Sequence, residues 1–200
     1  MIVIGYGTGR CGTQSLASFL NQQEGFNVTH EKVPLGWTPF NAHREQSIKK
    51  FISTAEYVIG DIGYYWVNHI DYMLKEYPKT KVINITRKDE EVIESFWTYK
   101  AHVREFVSFM ENEWFGHPYH SDRPTKDAIA RMVKWYRYCE KELKLFYPGN
   151  IYQLDTYDLN NKDKLIDLLN WLGVEEMDLS LQHIDKKRVL TENAQTERPS

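Results

Sequence analysis

The segment Gly5-Tyr6-Gly7-Thr8-Gly9-Arg10-Cys11-Gly12-Thr13-Gln14-Ser15-Leu16 constrains this chain more than any other. An apolar run with β character, Ile2 to Tyr6, leads into it. A helical pattern near Thr13 to Gln23 follows, with Leu16, Phe19 and Leu20 at i, i+3 and i+4. A strand that ends in closely spaced glycines and turns straight into a helix gathers backbone N–H groups and the positive end of the helix dipole at one point. The glycines let the chain turn sharply and approach a ligand, Thr13 and Ser15 add hydroxyls, and Arg10 adds a fixed fork of donors. That chemistry suits an oxyanion of phosphate or sulfate type. The competing reading is a glycine-rich turn with no guest; the flanking strand and helix, with Arg10 and Thr13 between them, favour binding.

Downstream, β-type runs alternate with helical patterns, the signature of an α/β fold in three layers, with a central parallel sheet of about five strands flanked by helices. The expected strands are Ile2 to Tyr6, Phe26 to Glu31, Tyr57 to Ile62, Lys81 to Thr86 and Ile151 to Leu154. Helices are expected near Thr13 to Gln23, Arg44 to Thr54, Trp66 to Tyr77 and Lys164 to Leu172, the last with Gly173 as its C-terminal cap. From Asp89 the pattern is helical as far as Phe146, interrupted near 116–124, so residues 97–147 read as a helical insertion within a single domain spanning 1–200.

At 200 residues and 23.7 kDa the chain can bury a substantial core, and its 42% hydrophobic and 26% charged residues exclude general disorder. A formal net charge of −3 argues against coating nucleic acid or an anionic membrane. Two cysteines, Cys11 and Cys139, lack the spacing of a disulfide framework or a zinc knuckle, and no apolar run is long enough for a membrane span. A cytoplasmic protein with neither nucleic acid nor membrane as partner is expected.

The glycine segment departs from the nucleotide-triphosphatase P-loop, which would have Lys followed by Ser or Thr directly after Gly12; Thr13 and Gln14 stand there. Its cation, Arg10, comes two residues before Gly12. Arg10-Cys11-Gly12-Thr13, with Gln14 and Ser15 opening the helix, resembles the 5′-phosphosulfate loop of the sulfotransferases. A second segment, Val82-Ile83-Asn84-Ile85-Thr86-Arg87 followed by Ser95, resembles that family's 3′-phosphate site, where an Arg at a strand end and a Ser eight residues on hold the phosphate. Ligands of open α/β sheets bind beyond the C-terminal strand ends, which is where Arg87 is expected. Many family members have Pro where Asp89 stands, a position from which Asp89 can serve as a helix N-cap.

The resemblance implies a P-loop nucleotide-hydrolase-like sulfotransferase fold and an enzyme that moves a sulfuryl group from 3′-phosphoadenosine 5′-phosphosulfate (PAPS) to a hydroxyl or amine, leaving adenosine 3′,5′-bisphosphate (PAP), with no metal. It implies a donor site of Gly9, Arg10, Cys11, Gly12, Thr13, Gln14, Ser15, Arg87 and Ser95, Arg10 also acting in catalysis, with Lys187 and Arg188 of the basic triplet Lys186-Lys187-Arg188 closing over the phosphate. The expected acceptor is a small molecule or carbohydrate; the net charge of −3 argues against a heavily sulfated polymer, and an alcohol, phenol, sugar or lipid headgroup are all open.

Such transfer needs a base for the acceptor's proton. His30 and Glu31 stand together at the end of the second strand. Strand alternation would send them to opposite faces, so one at most would reach the acceptor. The resemblance favours Glu31, since carbohydrate and tyrosyl-protein sulfotransferases use a Glu near this place, with His30 as the alternate. Trp37 and Phe40 could line an acceptor pocket, whereas Tyr64, Tyr65, Trp66, Trp97, Trp135, Tyr136 and Tyr138 read as core and helix packing. Asp61 resembles a Walker B carboxylate and is the main support for the alternative of an ATP-dependent kinase. A non-catalytic nucleotide-binding module is a further alternative. His117 and His120 flank Pro118 in a loop without a clear third metal ligand.

Overall fold

The Val- and Ile-rich runs become five strands, β1 (Ile2–Tyr6), β2 (Phe26–His30), β3 (Val58–Ile62), β4 (Lys81–Thr86) and β5 (Ile151–Asp155). They form one sheet in the order β2-β3-β1-β4-β5. Every pairing is parallel. The structure is a computed structural model, and it describes residues 1–35, 43–54, 57–100 and 126–180. Around the sheet lie α1 (Thr13–Leu20), α2 (Arg44–Ile52), α3 (Ile70–Glu76), α4 (Asp89–Lys100), α5 (Lys126–Phe146) and α6 (Lys162–Leu172). The insertion expected over 97–147 is described at its two ends, the last turn of α4 and the whole of α5; the residues between, 101–125, lie outside the described residues.

Strand alternation divides the core into two layers. Val3, Ile83 and Ile85 pack with Leu16 and Leu20 of α1 and with Leu165, Leu168, Leu169 and Leu172 of α6. Ile4, Tyr6 and Val82 face the other way, onto Ile48 of α2, Ile70 and Met73 of α3 and Tyr136 of α5. A smaller cluster joins Val92 and Phe96 of α4 to Ile129, Met132 and Val133 of α5. The fold class is therefore as expected, three layers on a five-stranded parallel sheet.

Element ends differ from expectation where side chains intervene. The helix expected from Trp66 instead begins with a 3₁₀ turn, Tyr64–Asn68. Tyr65 and Trp66 both reach back to Asp61, which tightens this segment before α3 begins. The first helix stops at Leu20, and the side chain of the following Asn21 accepts from the Val28 N–H at 2.9 Å. Gly173 takes the left-handed conformation (φ 81°) and closes α6, as its position suggested. Trp135 and Tyr138 are 39% and 62% exposed, so the packing role expected of the α5 aromatics falls to the fully buried Tyr136 between them.

The strand order reverses around β1. The chain runs from β1 to β2 and β3 on one side and then to β4 and β5 on the other. The segment after β1 thus opens into the crevice where α/β sheets bind ligands.

Candidate active site

The loop from Gly7 to Gly12 is held tightly from beneath. A Cβ on Gly7 would stand 2.4 Å from both the Cys11 Sγ and the Ile85 backbone oxygen, so only glycine fits there. Cys11 turns its side chain into the core, where burial pushes its thiol up to about 11. It can therefore offer a ligand only its backbone N–H. The Thr156 hydroxyl bridges the Cys11 and Thr86 carbonyls, fastening the loop to the end of β4. Gly12 precedes α1 at φ 91°, in the left-handed region, and among the described residues no side chain caps the helix. The first N–H groups of α1, from Thr13, Gln14 and Ser15, are oriented as an anion site requires.

Two non-glycine residues among those described have positive φ, Arg10 at 57° and Glu31 at 53°. Each such conformation costs on the order of 1 kcal/mol or more and persists only where its surroundings impose it. Both residues were candidates from sequence, and both lie at the C-terminal edge of the sheet.

On one side of the loop, Arg10 directs its Nε to the Ser95 Oγ at 3.1 Å. Arg87, just past β4, donates from Nη1 to the Arg10 carbonyl at 3.2 Å and from Nε to Glu91 at 2.8 Å. The structure thus brings Arg10, Arg87 and Ser95 together, although 85 residues separate Arg10 from Ser95. Glu91 also accepts from the Tyr157 hydroxyl at 2.5 Å. That hydrogen bond and the Arg87 guanidinium hold its carboxyl below the usual range. Asp89 is not an N-cap. It is the first residue of α4, which opens on the Lys88 carbonyl with the Val92 N–H at 3.0 Å, and its carboxylate accepts from Arg137 at 2.8 Å.

On the other side, the His30 Nε2 lies 3.1 Å from the Thr13 Oγ1 and 3.6 Å from the Glu31 Oε1. The expectation that His30 and Glu31 point to opposite faces is corrected here. Alternation holds only within a strand, and β2 ends at His30, so the left-handed Glu31 folds its carboxylate back beside the imidazole. The pair therefore faces the glycine loop together.

Asp61 is fully buried, and both of its carboxylate oxygens are engaged by neighbouring donors. Its Oδ1 accepts from the Thr29 hydroxyl (2.6 Å) and the Lys32 N–H (3.1 Å), and its Oδ2 from the Tyr65 hydroxyl (2.6 Å) and the Trp66 Nε1 (2.8 Å). It clamps the turn that carries Glu31. Among the described residues, no three His, Cys, Asp or Glu side chains stand together as a metal-ligating group. Trp37, Phe40, His117, His120, Lys186, Lys187 and Arg188 lie outside the described residues. Sequence reasoning missed Arg137, Thr156 and Glu91; of these, Glu91 alone carried a local signal, its i+4 spacing from Arg87.

No helix among the described residues is long and apolar enough to cross a membrane. No family profile matches the sequence, and no curated protein matches it. Solved structures do. A sulfotransferase from Alicyclobacillus acidocaldarius superposes with a TM-score of 0.58 at 14% identity, over 96% of this chain and 89% of that one. Mouse sulfotransferase SULT7A1, complexed with PAP, gives 0.55 at 13% identity, over 88% of this chain and 60% of its own length. The YorR protein of Bacillus subtilis, in complex with phosphorylated GDP, gives 0.54 at 14% identity, over 86% of this chain and 95% of that one. At these identities the likeness is one of fold, and the chain has the P-loop-like α/β fold found in the sulfotransferases.

Proposed function

We propose that this chain is a PAPS-dependent sulfotransferase acting on a hydroxyl or amine of a small-molecule or carbohydrate acceptor. The observation that carries the reading is the convergence of Arg10, Arg87 and Ser95 on one side of the N-terminus of α1, which no described side chain caps, with His30 and Glu31 on the other. Two adjoining anion subsites beside one acid–base pair match a donor with a phosphate on the 3′ and another on the 5′ position of one ribose. The solved likeness to a sulfotransferase complexed with PAP supports the same assignment.

In this reading Arg87 and Ser95 hold the 3′-phosphate, while Arg10 and the N–H groups from Cys11 to Ser15 hold the 5′-phosphosulfate. Arg10 and the loop amides stabilise the charge that builds on the bridging oxygen as it leaves. Glu31, with His30 beside it, takes the proton of the acceptor hydroxyl. The bond from sulfur to the bridging oxygen breaks as a bond from sulfur to the acceptor oxygen forms, and the electron pair of the broken bond stays on the 5′-phosphate of PAP. A sulfuryl group carries less negative charge than a phosphoryl group, so these residues face a smaller electrostatic task than a kinase does.

Thermal unfolding with PAP tests the donor site. At a hundred times the dissociation constant, binding adds about 2.7 kcal/mol. For a domain of this size the midpoint should rise by roughly 5 to 11 °C, without magnesium, and Arg87→Ala should abolish the rise. A rise seen only with magnesium ATP would overturn the proposal in favour of a kinase. PAP binding with no PAPS-dependent transfer to any acceptor would leave a binding module.

A further inference from the structure

Arg137 lies on α5, fifty residues beyond the subsite it touches. Its guanidinium uses all three nitrogens. Nη2 donates to the Arg87 carbonyl at 2.7 Å, Nε to the Asp89 carboxylate at 2.8 Å, and Nη1 to the two oxygens of Glu140 at 2.9 and 2.8 Å. Glu140 is 7% exposed; burial pushes its carboxyl up, and the adjacent guanidinium works in the opposite direction. The Arg87 carbonyl lies just past the last ladder pair of β4, Thr86 with Asp155, so the sheet does not hold it. Arg137 supplies its partner instead. The same guanidinium grips the first residue of α4, the helix that carries Ser95.

We infer that Arg137 is a positioning residue for the anion subsite at the β4–α4 turn, fixing the backbone of Arg87 and the start of α4 so that Arg87 and Ser95 meet a nucleotide 3′-phosphate together. This inference rests on the donor reading above. Arg137 does not compete for the anion, because Asp89 and Glu140 already neutralise it. It acts through geometry. A planar fork reaches three partners in fixed directions from three separate nitrogens, whereas a lysine's donors all radiate from one nitrogen and cannot span the same positions.

The test compares the affinities of PAP and adenosine 5′-monophosphate, which differ by the 3′-phosphate alone, by calorimetry on the full chain. The ratio of the two constants is the readout, since a purely structural role would weaken both ligands alike. Arg137→Lys keeps the charge and loses the fork. It should lower the preference for PAP about tenfold, the equivalent of one misaligned charge-assisted hydrogen bond. Asp89→Asn takes the charge from one of the three anchors at a half-exposed position and should lower the preference by a smaller factor. It carries the same comparison should Arg137→Lys fail to fold. Wild-type protein that binds PAP no better than the monophosphate would overturn the donor reading and this inference with it. A wild-type preference that survives both variants would overturn the inference alone and leave Arg137 as a structural tie.

Discussion

Asp61→Asn should destabilise the protein without removing a metal ligand. The carboxylate accepts from Thr29, the Lys32 N–H, Tyr65 and Trp66, two donors on each oxygen. Hydroxyls can turn round and accept from an amide; a backbone N–H and an indole N–H cannot. Whichever way the Asn side chain is turned, its NH₂ meets either the half-buried Lys32 N–H or the buried Trp66 Nε1–H, leaving a donor without its partner. That orphan costs about 1 to 3 kcal/mol, and the remaining hydrogen bonds weaken as their acceptor loses its charge. Relief from burying a carboxylate offsets part of this. The expected net loss is about 2 to 4 kcal/mol, which in a chain of this length lowers the unfolding midpoint by roughly 4 to 16 °C. Chemical denaturation at constant m, read together with a calorimetric scan, measures it. A loss below about 0.5 kcal/mol, within the range of an ordinary surface change, would refute the clamp. Unchanged stability with lost magnesium-ATP binding would instead restore Asp61 as a kinase's metal ligand.

Asn161 caps α6 by accepting from the Asp163 and Lys164 N–H groups at 3.1 and 3.3 Å, so Asn161→Ala should cost about 1 kcal/mol and lower the midpoint by roughly 2 to 4 °C in the same scan. Gly7→Ala would drive its Cβ into the Ile85 carbonyl and the Cys11 sulfur, so the loop must move; PAP binding should fall, and unaltered binding in the variant would contradict the close approach. The Glu91 carboxyl is held below its ordinary value of 4.5 by Tyr157 and Arg87. A carboxyl lowered in the folded state stabilises the fold above its unfolded value and loses that contribution as pH falls through the folded one. Stability followed by denaturant between pH 6 and pH 3 should thus fall less steeply in Glu91→Gln than in the wild type, and parallel curves would show that the pair adds nothing.

Much of the fold was legible because its signals are local. The apolar runs of β1 and β4 and the Leu165-Leu168-Leu169-Leu172 stripe of α6 each report one element, and parallel strands buried on both faces carry little polar interruption. The glycine loop was legible for the same reason, since strand, glycines and helix are contiguous. Relations across long sequence gaps were not. Nothing near Arg137 indicates that it reaches Arg87, and nothing near Thr156 indicates that it fastens the Cys11 carbonyl. The alternation rule failed at Glu31 because it assumes the strand continues, and a left-handed residue directly after His30 ends it.

The two halves of the candidate site share one structural element, and this makes them separable by experiment. Arg10 joins the loop to Ser95 on α4, whereas Thr13, on the far side of Gly12, joins it to His30 at the end of β2. Ser95→Ala removes a hydroxyl from the phosphate side and leaves the His30–Glu31 pair in place; PAP affinity should fall, by roughly tenfold for one hydrogen bond to a charged group. Glu31→Gln keeps the size of the side chain and removes the proposed base, so PAP affinity should stay within about twofold of the wild type while PAPS turnover drops by at least 10²-fold, the scale of a lost general base. Equal turnover in Glu31→Gln and wild type would remove Glu31 from the chemistry and pass the role to His30. Loss of PAP binding in Glu31→Gln would mean that its φ of 53° serves the architecture of the donor loop and not the acceptor's proton.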